Sequence, residues 1–176
     1  MIRKDKTPRQ ASLLDIAIQA TELAQDLKLA IERGRKIIQL DEFVVTKHTW
    51  PTHAWTRQKE NIPVDQSQAY NKVLAVVLAV SRERGIELVD IYERSINKPK
   101  FKLFLERLRA LNFWSDVTLV MDNLSVHKSN EVRERMTELD FEWSFTPAYS
   151  PRYNGIEEVI GIGKHQVKQM RLEKVQ

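Results

Sequence analysis

The feature that most constrains the fold is a nearly continuous apolar run, KVLAVVLAV, over residues 72–80. A run of this length between polar flanks is typical of a buried strand, although its alanines and leucines also permit a helix. The segment RERG then indicates a turn at residues 82–85, and IELVDIYERS alternates apolar and polar residues over residues 86–95. Together the two runs predict an antiparallel hairpin.

The segments around this hairpin predict alternating helices and strands. We expect a helix over residues 12–33, a strand in IIQLDEFVV, a helix from Pro99, a strand at 117–123, a helix at 129–140, a strand at 141–147 and a last helix from Ile156. An antiparallel start followed by alternating strands and helices predicts an α/β fold with a mixed central sheet and helices on both faces. Residues 1–35 are expected to form a basic arm and a leading helix, and residues 36–176 the main domain.

Composition excludes several classes of protein. The 176 residues include no cysteine, which excludes disulfides and thiolate metal sites, so that any metal needs oxygen or histidine ligands. No apolar run reaches the roughly 18 to 20 residues of a membrane-spanning helix, and we expect no membrane partner and no signal peptide. The 28 basic and 24 acidic residues give a net charge of +4. That balance fits a nucleic-acid partner, and it also fits a protein with a solvated lysine face.

Three carboxylates stand out because of their positions in these elements. Asp41 lies inside an apolar strand, Asp122 ends the strand VTLVMD, and Glu157 or Glu158 opens the last helix. Burying ionised carboxylates together is costly, but divalent cations held jointly would relieve that cost. Two such ions can activate a water or hydroxyl and stabilise the leaving oxygen of a phosphodiester. Each acid taken alone also has an ordinary explanation, as an edge-strand charge, a turn or cap residue, and a first-turn helix acid respectively.

Three ordered segments carry a family resemblance: IIQLDE (37–42), VTLVMDNLSVHKS (117–129) and YSPRYNGIEEV (149–159). With these segments the chain resembles the mariner superfamily of DDE transposases, which includes related bacterial insertion-sequence transposases. The letters NGIE match the family's Asn-Pro-x-Glu segment, which assigns the third acid to Glu157. Between Asp122 and Glu157 lie 34 residues, a spacing typical of this superfamily.

The resemblance implies a fold, a reaction and partners. The implied fold is ribonuclease-H-like, or retroviral-integrase-like, and the implied reaction is DNA cleavage at transposon ends followed by strand transfer into a target, usually at TA. Asp41, Asp122 and Glu157 would hold two Mg²⁺ ions, with Mn²⁺ as a substitute, and the two aspartates would lie on adjacent strands. Double-stranded DNA and a second copy of the chain, in a homodimer, are the implied partners. The location would be the nucleus in a eukaryote, or the cytoplasm and nucleoid in a bacterium.

Four further residues are candidates for supporting or DNA-contacting roles. Asn123 could orient Asp122 or a bound water, or it could form a turn. His127 could approach a DNA phosphate or cap a helix. Lys164 and Lys168 recur along the last helix, where they could contact phosphates or form a solvated face.

The chain departs from the family pattern in two places. About 40 residues precede Asp41, too few for the paired helix-turn-helix modules that read transposon ends, so we expect a fragment, a truncated copy or one product of a split gene. Gly155 replaces the family's proline, and Gly161 and Gly163 interrupt the last helix. A catalytically silent remnant that binds DNA or acts structurally is therefore one alternative. A nuclease of RNA–DNA hybrids is another, and the segment YSPRYNGIE argues against it.

Overall fold

The structure is a computed structural model that describes residues 13–46, 73–147, 150 and 153–173, with side chains described as far as residue 166. These residues form five strands and four helices, and the predicted order of elements is confirmed. The strands are β1 (Lys36–Val45), β2 (Leu74–Ser81), β3 (Gly85–Glu93), β4 (Val117–Met121) and β5 (Phe141–Phe145). The helices are α1 (Leu13–Glu32), α2 (Lys98–Leu111), α3 (Asn130–Glu138) and α4 (Ile156–Glu173).

The five strands form one mixed sheet in the order β3-β2-β1-β4-β5. The hairpin of β2 and β3 is antiparallel, as predicted, and β1 is also antiparallel to β2. The pairs β1–β4 and β4–β5 are parallel. Parallel neighbours need a crossover connection, and α3 provides one between β4 and β5. Among the described helices, none is both long and apolar enough to cross a membrane.

Helices α2 and α3 cover one face of the sheet. The side chains of α2 that face the sheet recur at intervals of three and four residues, which gives the helix one apolar side. They are Phe101, Phe104, Leu105 and Leu108, and each is fully buried. They pack in one cluster with Ile38 and Leu40 of β1, Leu119 and Met121 of β4, and Val132 and Met136 of α3. Asn97 begins α2, because its side-chain oxygen accepts a hydrogen bond from the Lys100 N–H at 3.1 Å.

Helices α1 and α4 lie on the opposite face. Helix α1 buries Leu23 and Ala30, and its Asp26 accepts a hydrogen bond from the Ser144 hydroxyl of β5 at 2.8 Å. In α4, Ile156 and Ile160 pack against Leu78 of β2, with Phe43 and Val80 beside them. Because the first turn of α4 is anchored there, Glu157 is carried over the middle of the sheet.

A buried ion pair lies near the start of β1. The Lys36 Nζ is 2.6 Å from Oε1 of Glu87, and it also donates to the Asn112 side chain at 2.8 Å. Burial alone would raise the pKa of Glu87, but hydrogen bonds from Lys36 and from the Ser81 hydroxyl lower it. Glu87 lies where the register of β2 and β3 shifts, opposite the step from Ala79 to Val80. The ion pair of Lys36 and Glu87 therefore stabilises an irregular part of the sheet.

Candidate active site

The candidate active site lies where two parallel strands separate. The ladder between β1 and β4 runs from Lys36 only as far as the pair Gln39–Val120, whereas the ladder between β1 and β2 continues to Val45. Two residues beyond the last β1–β4 pair, the same register brings Asp41 opposite Asp122. The two aspartates therefore lie at the same end of neighbouring strands, in a place where the sheet opens.

Asp41 is a buried carboxylate with only 8% of its surface exposed. Its Oδ1 accepts a hydrogen bond from the Glu42 N–H at 2.7 Å, and its Oδ2 accepts one from Nδ2 of Asn154 at 2.9 Å. Burial is the main reason that the pKa of Asp41 is raised to about 6. The hydrogen bond from Glu42 lowers this pKa, while the negative charges of Asp122 and Glu157 raise it. Asp122 and Glu157 are therefore both close enough to Asp41 to act on it electrostatically.

Glu157 occupies the first turn of α4 and is exposed. The backbone N–H of Glu157 donates to the Asn154 carbonyl at 3.1 Å, which begins the helix. A negative charge at a helix N-terminus is favoured by the helix dipole. Glu158 is also exposed, and it is turned from Glu157 by about 100° around the helix axis.

His127 supports Asp122 from below the surface. The Nδ1 of His127 lies 2.9 Å from Oδ1 of Asp122, and its Nε2 lies 3.3 Å from Oε1 of Glu42. The imidazole is 0% exposed and packs on the Phe101 ring with a centroid distance of 4.7 Å. Burial alone would lower the pKa of His127, but the hydrogen bonds to Asp122 and Glu42 raise it to about 9. At neutral pH the ring is therefore a cation between two carboxylates.

The part of the chain that matches a known family begins at the start of β1. The family model described as DDE superfamily endonuclease matches residues 36–176. The chain belongs to the DDE superfamily of endonucleases. No sequence among the curated proteins matches the chain.

Several solved structures are similar in fold to this DDE endonuclease. The Mos1 transposase paired-end complex with left transposon end is 14% identical, with a TM-score of 0.69 over 95% of this chain and 53% of that chain. The catalytic domain of Mos1 mariner transposase is 15% identical, with a TM-score of 0.65 over 92% of this chain and 75% of that chain. The structure of Mos1 transposase catalytic domain and Raltegravir with Mn is 13% identical, with a TM-score of 0.63 over 96% of this chain and 84% of that chain.

These similarities establish the fold alone, because the sequence identities are low. The ribonuclease-H-like fold that the sequence predicts is confirmed, and so is the resemblance to mariner-type transposases. The DDE endonuclease chain spans about half the length of the Mos1 chain in the paired-end complex.

The structure contradicts one proposed role in the DDE endonuclease site. A direct approach of His127 to a DNA phosphate is wrong for this structure, because the side chain is fully buried. The alternative, a helix cap, does not fit either, because Ser129 holds the N-cap position of α3. His127 follows Asp122 by five residues, and this spacing does not indicate that the ring reaches back to the aspartate. His127 is a supporting residue.

Asn123 fixes the loop that follows β4. Its Nδ2 donates to the Thr146 carbonyl at 2.5 Å, and the Thr146 N–H donates to the Met121 carbonyl at 2.9 Å. These bonds extend the contact between the ends of β4 and β5. The bond from Asn123 to Thr146 joins two segments 23 positions apart, so it is neither a local turn nor a bond that orients Asp122.

The structure describes the side chain of only one of the two candidate lysines of α4. The Lys164 Nζ lies 5.5 Å from the centroid of the Phe43 ring, and Phe43 is two residues beyond Asp41 on the same face of β1. Lys164 is therefore on the side of α4 that faces the site. Lys168 lies in α4, but its side chain is outside the described residues. A DNA contact by either lysine stays a prediction.

Sequence reasoning missed two residues that contact the predicted acids. Glu42 points to the opposite face of β1 from Asp41, where its Oε1 contacts His127, and no local pattern in the sequence indicates that contact. Asn154 belongs to the NGIE segment that aligned Glu157, and it bonds directly to Asp41. The signal for Asn154 is therefore present in the same segment that assigns the third acid to Glu157.

The donor set of this DDE endonuclease suits a hard divalent cation. Asp41, Asp122 and Glu157 offer only oxygen ligands, and the repulsion that the other two acids exert on Asp41 is a cost that a cation would remove. In the described part of the chain, no three His, Cys, Asp or Glu side chains converge closely enough to hold a metal ion. The chemistry of the residues fits the ion, and the carboxylates stand wider apart than coordination requires.

Proposed function

We propose that this DDE endonuclease is the catalytic domain of a mariner-type DNA transposase. It would cut double-stranded DNA at transposon ends and join the freed ends to target DNA. The observation that carries the proposal is the strand register that brings Asp41 opposite Asp122 at the gap between β1 and β4, with Glu157 in the first turn of α4, the helix that follows Asn154, whose side chain bonds to Asp41. The family match over residues 36–176 supports the same conclusion.

The proposed cofactor is a pair of Mg²⁺ ions, for which Mn²⁺ can substitute. Its support is the all-oxygen donor set and the similarity to the Mos1 transposase catalytic domain with Mn. When bound, the ions supply charge stabilisation to the attacking and leaving oxygens of the phosphodiester. Asp41, Asp122 and Glu157 are the residues that would hold the ions.

The protein holds two of the proposed ligands, Asp41 and Asp122, by different contacts. Asp41 is fixed by the Glu42 N–H and by Asn154. Asp122 uses Oδ1 for His127 and for the Leu124 N–H, which lies 3.2 Å away. These two contacts leave Oδ2 of Asp122 to serve a cation.

The proposed reaction needs no covalent attachment to the protein. In the first step the oxygen of a water molecule forms a new bond to phosphorus, and the bond from phosphorus to the 3′-oxygen breaks, so that the 3′-oxygen takes up a proton. In the second step the freed 3′-hydroxyl attacks a phosphodiester of the target, loses its proton and displaces the target's own 3′-oxygen. Both steps are displacements at phosphorus, so the same three carboxylates serve both.

The proposed partners are double-stranded DNA, with a TA-containing target, and a second copy of the chain. The similar Mos1 structure is a paired-end complex with a left transposon end, which supports DNA as the partner. On this chain, Lys164 and Lys168 of α4 are the proposed phosphate contacts, and Lys164 lies beside Phe43 next to the site. A homodimer is proposed because two transposon ends must be joined.

The alternative of a silent remnant is less well supported. A remnant under no selection for cleavage has no reason to keep a buried carboxylate with a raised pKa between two further acids. Fold and acids are both intact in this chain.

Nicking of supercoiled plasmid DNA in Mn²⁺ tests the proposal. Wild type is compared with Asp122→Asn, Glu157→Gln and the matched control Glu158→Gln, which removes the same charge one residue further along α4. We expect the first two variants to lose nicking by a factor on the order of 100 or more, and Glu158→Gln to retain it. Equal nicking by all four proteins would mean a contaminating nuclease, and it would refute the proposal.

A further inference from the structure

Asn154 combines burial with an unused hydrogen-bonding atom. Its exposed fraction is 7%, and among the described residues its Oδ1 is the buried side-chain atom that has no hydrogen-bond partner. An unpaired buried acceptor destabilises the folded state, so a native structure that keeps one needs a reason for it.

The orientation of the Asn154 amide is set by Asp41. Its Nδ2 donates to Oδ2 of Asp41 at 2.9 Å. A flipped amide would bring Oδ1 against the ionised carboxylate, and two acceptors repel. The nitrogen is therefore held toward Asp41, and the oxygen is left without a partner beside the same carboxylate.

Helix capping does not explain the Asn154 side chain. Asn97, just before α2, shows what a capping asparagine does, because its Oδ1 accepts from the Lys100 N–H. Asn154 lies two residues before α4, and only its backbone carbonyl accepts from Glu157. Its side chain is directed to β1 instead.

The backbone around Asn154 approaches β1 closely. A Cβ on Gly155 would lie 3.2 Å from Oε1 of Gln39, which precedes Asp41 by two residues on the same strand face. Glycine at position 155 therefore lets this segment lie against β1 without displacing Gln39. The approach brings the Asn154 amide within hydrogen-bonding distance of Asp41.

We propose that Asn154 is a further residue of the metal centre. Through Nδ2 it holds Asp41 in position, and through Oδ1 it accepts a hydrogen bond from the hydration shell of the divalent cation that Asp41 binds. This inference rests on the proposed metal-dependent function. Mg²⁺ and Mn²⁺ suit such a role, since Mg²⁺ keeps several of its waters when it is bound by few carboxylates. Side chains that orient metal ligands typically affect metal affinity by 10- to 100-fold.

The test measures Mn²⁺ binding to the whole chain by isothermal titration calorimetry, without DNA and without any activity assay. The proteins are wild type, Asn154→Ala, Asn154→Ser, Asp41→Asn and the matched control Asn97→Ala. We expect Asn154→Ala to weaken Mn²⁺ binding roughly 10- to 100-fold. Asn97→Ala removes a helix cap and is expected to lower the melting temperature without changing the Mn²⁺ affinity.

The outcomes separate this inference from the proposed function. If wild type binds Mn²⁺ and Asp41→Asn does not, while Asn154→Ala stays within twofold of wild type, the inference alone is refuted. If wild type shows no binding that depends on Asp41, the metal-dependent function fails and the inference fails with it. Circular dichroism checks folding, and if Asn154→Ala does not fold, Asn154→Ser is judged by the same twofold criterion.

Discussion

Replacing Asp41 with asparagine is expected to stabilise the metal-free protein while removing its metal site. The reason is the pKa of Asp41, which folding raises from 3.8 to about 6. A group whose pKa is raised in the folded state contributes stability that is fully present below its unfolded pKa. That stability is lost as the pH rises through the folded value. The loss for Asp41 therefore falls between about pH 4 and pH 6.

The size of the effect follows from the pKa shift. About two pKa units at 1.36 kcal/mol each amount to roughly 2 to 3 kcal/mol. Asparagine carries no charge, so Asp41→Asn avoids this loss. Its own amide can donate to the unpaired Oδ1 of Asn154 once that side chain flips. The free energy of unfolding of the variant minus that of wild type should therefore increase by roughly 2 to 3 kcal/mol from pH 4 to pH 7.

Urea unfolding followed by circular dichroism, at pH 4, 5.5 and 7 in the presence of a chelator, measures this difference. Glu158→Gln serves as the control, because it removes an exposed carboxylate of the same end of the protein. Addition of Mg²⁺ at pH 7 should then stabilise wild type and leave Asp41→Asn unchanged. A difference that is the same at pH 4 and pH 7, or a variant less stable than wild type at pH 7, would refute the reasoning.

Three further substitutions test other parts of the structure. The pKa of His127 is raised to about 9, so its contribution to stability is fully present below pH 6.5 and lost as the pH rises through about 9. The free energy of unfolding of wild type should therefore fall by roughly 3 kcal/mol between pH 7 and pH 10, whereas that of His127→Gln should not. Leu105→Ala empties a fully buried position in α2 and should cost about 2 to 5 kcal/mol in urea unfolding; a cost below 1 kcal/mol would contradict the packing described for this face. Gly161→Ala meets nothing within 4 Å and should stabilise α4 by about 1 kcal/mol, which differential scanning calorimetry would register as a higher melting temperature.

The order of helices and strands could be predicted because each element carries its own periodicity. The run KVLAVVLAV and the alternation that follows it became β2 and β3, and the apolar side of α2 was readable at three- and four-residue intervals. The position of Asp41 opposite Asp122 followed from the expectation of adjacent strands. The choice of Glu157 over Glu158 came from the resemblance, and helical geometry then separates the two side chains by about 100°.

The contacts that hold the acids could not be predicted, because they join residues that are far apart in the chain. Asn154 and Asp41 are 113 positions apart, and His127 and Glu42 are 85 positions apart. A local pattern contains no information about such pairs. A histidine or an asparagine near a helix start looks like a cap in every sequence, and only the packing of the sheet decides which one turns inward.

Glu87 and Asp41 are both buried carboxylates of the same sheet, and the protein treats them in opposite ways. Glu87 has a permanent counter-charge in Lys36, 2.6 Å away, whereas Asp41 is bonded by two uncharged donors, the Glu42 N–H and Asn154. A copy of this gene released from selection for DNA cleavage would gain stability from any mutation that brought a cation beside Asp41. Among the described residues, the groups that act on Asp41 are uncharged donors and like charges, so a bound cation is what would offset the burial of its charge.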